Sequence, residues 1–251
     1  MRNGMIDRNG AVRLACGCAA GAFTCAAHSL TPSALPRRSL LALGAAAGFA
    51  ASPFIPRVAR AQTTLKPDEA LKRLMDGNAR YVAVSLNSFK EDLDILRAHT
   101  VEKQEPFAAV LSCADSRVPA EIVFDLSIGQ LFVTRVAGNV ATTEIIASLE
   151  YGAAVLGTRV IMVLAHQACG AVKAAVGGKA VPGQISALYA PLQAAVEQGH
   201  HDYEATAKLN ARIQAQILSA ASPVLADQIA KGDLKIVAGY YALDTGKVEL
   251  L

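Results

Sequence analysis

The chain has 251 residues, is 53% hydrophobic, lacks tryptophan and carries a formal net charge of +3. That length holds one or two domains with a self-sufficient core, and a charged fraction of only 18% excludes an intrinsically disordered chain. So small a charge gives no basis for a nucleic-acid partner, and five cysteines are too few for a disulfide-dense scaffold.

The totals hide two unlike segments. Residues 1–61 contain seven arginines, no lysine and one acid, Asp7, so residues 62–251 by themselves carry −3. Arg37-Arg38 precedes a run rich in Ala, Gly and Leu, from Leu40 to Ala51. The run is well short of the roughly 20 residues that span a bilayer as a helix. Ala59-Arg60-Ala61 then supplies small residues where a signal peptidase needs them. The pattern resembles a twin-arginine signal, with Pro36 and Ala42 departing from its usual residues. It predicts a signal peptide over 1–61, cleavage after Ala61, a periplasmic domain over 62–251, and no stable membrane insertion after cleavage. An uncleaved anchor is the alternative. Cys16, Cys18, Cys25 and His28 fit no standard zinc spacing and fall within the segment to be removed.

Helical spacing of Leu71, Leu74, Ala79 and Val82 against Lys72, Arg73, Asp76 and Arg80 predicts a helix over Leu65–Val82, opened by Pro67 or Asp68. Residues 84–100 are mixed and read as surface. Short apolar runs at Ala108–Cys113, Leu131–Val136, Val160–Ala165 and Ile236–Leu243 predict buried strands. Helical patterns fill Thr143–Leu156, Cys169–Val176 and Tyr203–Ala221. Apolar strands alternating with helices predict an α/β fold, a mainly parallel central sheet of about four to five strands flanked by helices. Ligands in such sheets sit beyond the carboxyl ends of the strands. Cys113 ends the first strand and His166 follows the third, so both fall at that edge.

The two cysteines left in the second segment lie in Cys113-Ala114-Asp115-Ser116-Arg117 and His166-Gln167-Ala168-Cys169-Gly170. Two thiolates and an imidazole suit zinc, and three ligands leave the open position of a catalytic site. The alternatives are a Cys113–Cys169 disulfide, which an exported protein can form, and plain core filling by each residue. Asp115 and Arg117 are two apart and share a face of an extended segment. Pairing keeps the carboxylate ionised. Asp115 then either completes the coordination, accepts a hydrogen bond from metal-bound water, or merely buttresses the loop.

Together these motifs resemble the beta-class carbonic anhydrases, in CADSRVP at Cys113–Pro119 and HQACGAV at His166–Val172. The resemblance extends through Gln104–Phe107, Ile128–Asn139 and Ser148–Tyr151, covering roughly 65–245. It implies reversible, zinc-dependent hydration of carbon dioxide to bicarbonate and a proton. Hydroxide formed at one zinc per chain attacks the substrate and is oriented by Asp115 and Arg117. The implied ligands are Cys113, His166 and Cys169, with Asp115 a fourth ligand in a closed form and Arg117 holding it away in the open one. Gln104, Phe132, Ala137 and Tyr151 would line the substrate pocket, partly from a neighbouring subunit, and the Gly170 amide would face bicarbonate. The resemblance further implies a homodimer or higher homo-oligomer, with residues 67–82 as a helical arm reaching across it. A bicarbonate-inhibited branch of the family carries Trp where Val110 stands, so that inhibition is expected to be absent or altered. His99, His200 and His201 are candidates to carry the proton away, although no spacing ties them to the metal. A carbonyl sulfide or carbon disulfide hydrolase, and a non-catalytic zinc-binding protein of the same fold, are the competing readings.

Overall fold

The computed structural model describes residues 63–87 and 104–251. Residues 1–61, where an export signal is expected, and His99 lie outside the described residues. Contacts divide the chain at residue 54, and every described residue belongs to the second unit, Ile55–Leu251.

Helix α1 (Pro67–Val82) opens on a proline, with Asp68 and Glu69 in its first turn. Proline fits there because its missing N–H would lack a partner anyway, and acids there complement the helix dipole. Ala70, Leu74 and Gly77 are buried on one stripe. A Cβ on Gly77 would overlap the carbonyl oxygen of Phe124, so only glycine permits this approach. Asn78 Nδ2 donates to the carbonyls of Val123 and Gly246, and its Oδ1 accepts from Val248 N–H. The helix implied as an arm is therefore present, with its apolar face laid on its own chain.

The remaining elements are β1 (Ala108–Ser112), α2 (Ala120–Val123), β2 (Leu131–Arg135), α3 (Thr143–Ala154), β3 (Val160–His166), α4 (Gly170–Gly177), α5 (Gln193–Gln198), α6 (Tyr203–Ala221), α7 (Pro223–Ala230), β4 (Lys235–Tyr241) and β5 (Val248–Leu250). Two 3-10 turns at Gly183–Leu188 and Ala190–Leu192 lead into α5. The sheet runs β2-β1-β3-β4-β5. Its first four strands are parallel and β5 is antiparallel to β4. The four expected strands are all present, with ends moved by a residue or two. β5 and the short helices α2, α5 and α7 carry too few residues for a clear periodic signal, although Ser222-Pro223 at the start of α7 forms a readable cap.

Both faces of the sheet are covered, as parallel strands require. Leu74, Val110, Phe124, Met162 and Leu164 belong to the core under α1 and α2. Leu111, Leu149, Ile161, Val163, Leu218 and Leu225 belong to the core under α3, α6 and α7. Every residue of β1 and β3 is buried. Ser112 stands level with Leu164, so Cys113 and His166 emerge at the same carboxyl edge. Among the described residues no helix is long and apolar enough to cross a membrane.

Candidate metal centre

Cys113 leaves β1 pointing into the core under α3 and α6, and His166 is the last residue of β3. The backbone between His166 and Cys169 reverses through Ala168 at φ +56°. That left-handed conformation is costly for a residue with a Cβ and tends to occur where a site needs it. Cys169 then stands at the N-cap of α4.

The result is a compact buried trio. The ligand atoms of Cys113, His166 and Cys169 lie within 4.8 Å of one another. The two sulfurs are 3.9 Å apart, well beyond the roughly 2.05 Å of a disulfide, and both thiols are free. His166 Nδ1 sits 2.9 Å from the carbonyl of Gln167. A carbonyl only accepts, so Nδ1 carries the hydrogen and Nε2 keeps its lone pair. That Nε2 is buried and has no hydrogen-bond partner. An orphaned imidazole nitrogen beside two thiols is what a soft divalent cation satisfies, so the donor set fits zinc.

The thiols are already biased toward that role. The hydrogen bond from Cys169, opposed by burial and aided by the Gly138 amide, pulls Cys113 below the ordinary thiol range. Cys169 is pushed up, first by the proton it holds against Cys113 and then by burial. The pair thus shares one negative charge and one proton near neutrality, and a cation can take the proton's place.

Asp115 stands beside the trio with its carboxylate engaged. Its Oδ1 accepts from the Arg117 backbone N–H and from Nε, both at 2.9 Å, and its Oδ2 accepts from Nη2 at 2.7 Å. Oδ2 also lies 3.9 Å from His166 Nε2. The Arg117 guanidinium holds the carboxyl well below the usual carboxylate range. Arg117 also reaches the carbonyl of Ala168 at 3.4 Å, linking the two motifs. A further arginine, Arg135 at the end of β2, donates to the carbonyls of Cys113 and Asp115. Nothing in its spacing marks it as the clamp on the ligand loop; only the strand register brings it there.

The expected pocket residues divide into two groups. Gly170, exposed at the start of α4, and half-buried Ala137, beside Gly138, lie at the edge that holds the trio. Phe132 and Tyr151 pack against each other with tilted rings, centroids 6.3 Å apart. Phe132 is level with Ala109, four residues before Cys113, or about 13 Å along a strand at roughly 3.3 Å per residue. Gln104 precedes β1 altogether. One chain therefore does not bring Gln104, Phe132 and Tyr151 to its own trio. His200 and His201 lie exposed in the turn before α6, at φ +50° and +62°.

Comparison with known proteins agrees with this geometry. A family model described as carbonic anhydrase matches residues 108–248. Carbonic anhydrase 2 of Mycobacterium tuberculosis is 35% identical over 192 residues, covering 73% of this chain and 92% of that protein. A beta-carbonic anhydrase of Aspergillus fumigatus superposes with a TM-score of 0.59 at 23% identity, covering 72% of this chain and 90% of that one. A tetrameric beta-carbonic anhydrase of Sordaria macrospora gives 0.58 at 20% identity, covering 72% and 96%.

Proposed function

The chain belongs to the beta-class carbonic anhydrase family, enzymes of carbon dioxide hydration, and from that premise we propose that it works with one zinc ion held by Cys113, His166 and Cys169. When bound, zinc acidifies a water molecule so that hydroxide is available near neutral pH. Every other part of the reaction falls to side chains of the protein. The two thiolates balance the charge of the dication, which makes accurate aiming of the nucleophile more important. Asp115 Oδ2 accepts the remaining proton of the attacking oxygen in a hydrogen bond and so turns its lone pair toward the substrate carbon. Asp115 acts only as an acceptor, because Arg117 keeps it ionised. The free amides at the start of α4, Gly170 first among them, suit the anionic product.

The apolar wall comes from a second copy. Phe132 and Tyr151 are preassembled at the far end of the sheet, where they can serve a neighbouring trio, and Tyr151 is 47% exposed. This supports a homodimer or a higher homo-oligomer, and the Sordaria macrospora relative is a tetramer.

The observation that carries the reading is the buried trio with an orphaned His166 Nε2 beside an Arg-bound carboxylate. The test is metal analysis joined to a carbon dioxide hydration assay on the wild type and Asp115→Ala. Zinc near one per chain in both proteins, with activity lost in the variant, is expected; a zinc-free active wild type would overturn the mechanism.

We infer that the enzyme works in the periplasm, from the Arg37-Arg38 pair and Ala59-Arg60-Ala61. The twin-arginine route moves folded proteins, so zinc can be loaded before crossing. Replacing Arg37-Arg38 with Lys-Lys should retain the precursor in the cytoplasm, and normal export of that variant would refute the route.

A further inference from the structure

Two buried amides on α6 stand behind the trio without touching it. Asn210 is fully buried and Gln214, four residues on, is 1% exposed. Residues four apart share a helix face, and this face looks onto the loop that follows β2. Asn210 Nδ2 donates to the carbonyl of Gly138 at 2.8 Å. Gln214 Nε2 donates to Asn210 Oδ1 at 3.1 Å and to the carbonyl of Pro191 at 3.2 Å. Its Oε1 accepts from the Ala141 N–H at 2.8 Å. The two side chains thus grip the loop at both ends, at residues 138 and 141.

The gripped loop donates a hydrogen bond to the metal centre. The Gly138 N–H points at Cys113 Sγ, 3.3 Å away. Gly138 adopts φ +79°, and an added Cβ would press on Ala171 and Leu192, so the peptide is confined from that side as well. Burying two primary amides is costly unless they are satisfied. A helix that only needed to pack on the sheet would do better with leucine at both positions.

We propose that Asn210 and Gln214 are positioning residues for the metal centre, fixing the Gly138 amide on Cys113 Sγ and so setting how strongly that thiolate donates charge to the metal. A hydrogen bond to a thiolate withdraws electron density from sulfur, leaving the metal a stronger Lewis acid and the ligand less open to protonation. Partners behind the ligands commonly tune metal sites in this way. The proposal rests on Cys113 being a metal ligand.

The experiment uses the full-length enzyme loaded with cobalt(II) in place of zinc, and separately tests zinc retention against a chelator. Asn210→Leu keeps the volume and removes the donor. It should shift the thiolate-to-cobalt charge-transfer band to longer wavelength and weaken zinc retention about tenfold. Leu218→Ala, a buried truncation two turns further along α6, is the control for general destabilisation and should leave the band in place. An unmoved band and normal retention in Asn210→Leu would overturn the proposal, as would an equal shift in Leu218→Ala. If Asn210→Leu does not fold, Gln214→Met, which leaves Asn210 present but unanchored, is read by the same shift. A wild type that shows no thiolate-to-cobalt band would instead overturn the metal reading itself.

Discussion

Replacing Asp115 by asparagine separates what the carboxylate does from what holds it. The side chain keeps its shape, but one oxygen becomes an NH2. Oδ1 accepts two hydrogen bonds from Arg117 and Oδ2 accepts one, so the amide oxygen settles at the Oδ1 position. The NH2 then faces the guanidinium and the space before His166, 3.9 Å away. A donor stands where the attacking oxygen needs an acceptor. Losing orientation of a nucleophile costs on the order of 10²-fold, or roughly 2.7 kcal/mol in the barrier. Stability should change little, because Arg117 is half exposed and solvent screens such a pair. Zinc content should be unchanged, since the buried trio is untouched. Stopped-flow hydration with a pH indicator, normalised to bound zinc, makes the measurement. Activity within twofold of wild type at full zinc loading would refute the orienting role. The pH dependence adds a second check. The folded Asp115 carboxyl titrates below its unfolded value, so its contribution is present above the unfolded range and is lost only in strong acid. Above about pH 5 the group stays ionised, and any limb of the rate profile there should persist in Asp115→Asn.

Three further outcomes are expected. Tyr151→Ala and Cys169→Ala should each be nearly inactive, yet a mixed oligomer of the two should regain activity, because one site then joins an intact trio to a partner's tyrosine; mixing without recovery would place the whole pocket within one chain. In the metal-free protein, Cys113, drawn down by the hydrogen bond from Cys169, should keep its thiolate ultraviolet absorbance to a pH well below the ordinary thiol range. The eventual loss should be missing in Cys113→Ser, and its appearance near the ordinary thiol range would show that the neighbouring donors have no hold on the sulfur. Val110 is fully buried where the bicarbonate-inhibited branch carries Trp, so that inhibition should be absent or altered, and cooperative inhibition with a steep loss of activity at acid pH in a bicarbonate titration would contradict this.

The amino-acid sequence by itself determined the four parallel strands, the helices around them and the edge where Cys113, His166 and Cys169 collect. Continuous apolar runs such as Val160–Ala165, too short for a typical helix and rich in β-branched residues, read as strands covered on both faces, and two thiols with an imidazole at one edge have few uses. The Asp115–Arg117 pairing was legible for the same reason, since it joins residues two apart on one segment. Residue spacing holds no record of what the strand register brings together. Arg135 reaches the carbonyls of Cys113 and Asp115 because β2 lies beside β1, and Asn210 reaches Gly138 across 72 residues. The resemblance already implied a pocket lined partly from a neighbouring subunit; how far Phe132 stands from its own trio was decided by the tertiary structure, since the parallel register sets it level with Ala109, with Tyr151 beside it. Local pattern encodes which face of an element is apolar; the distance between two elements is set only when all of them pack at once.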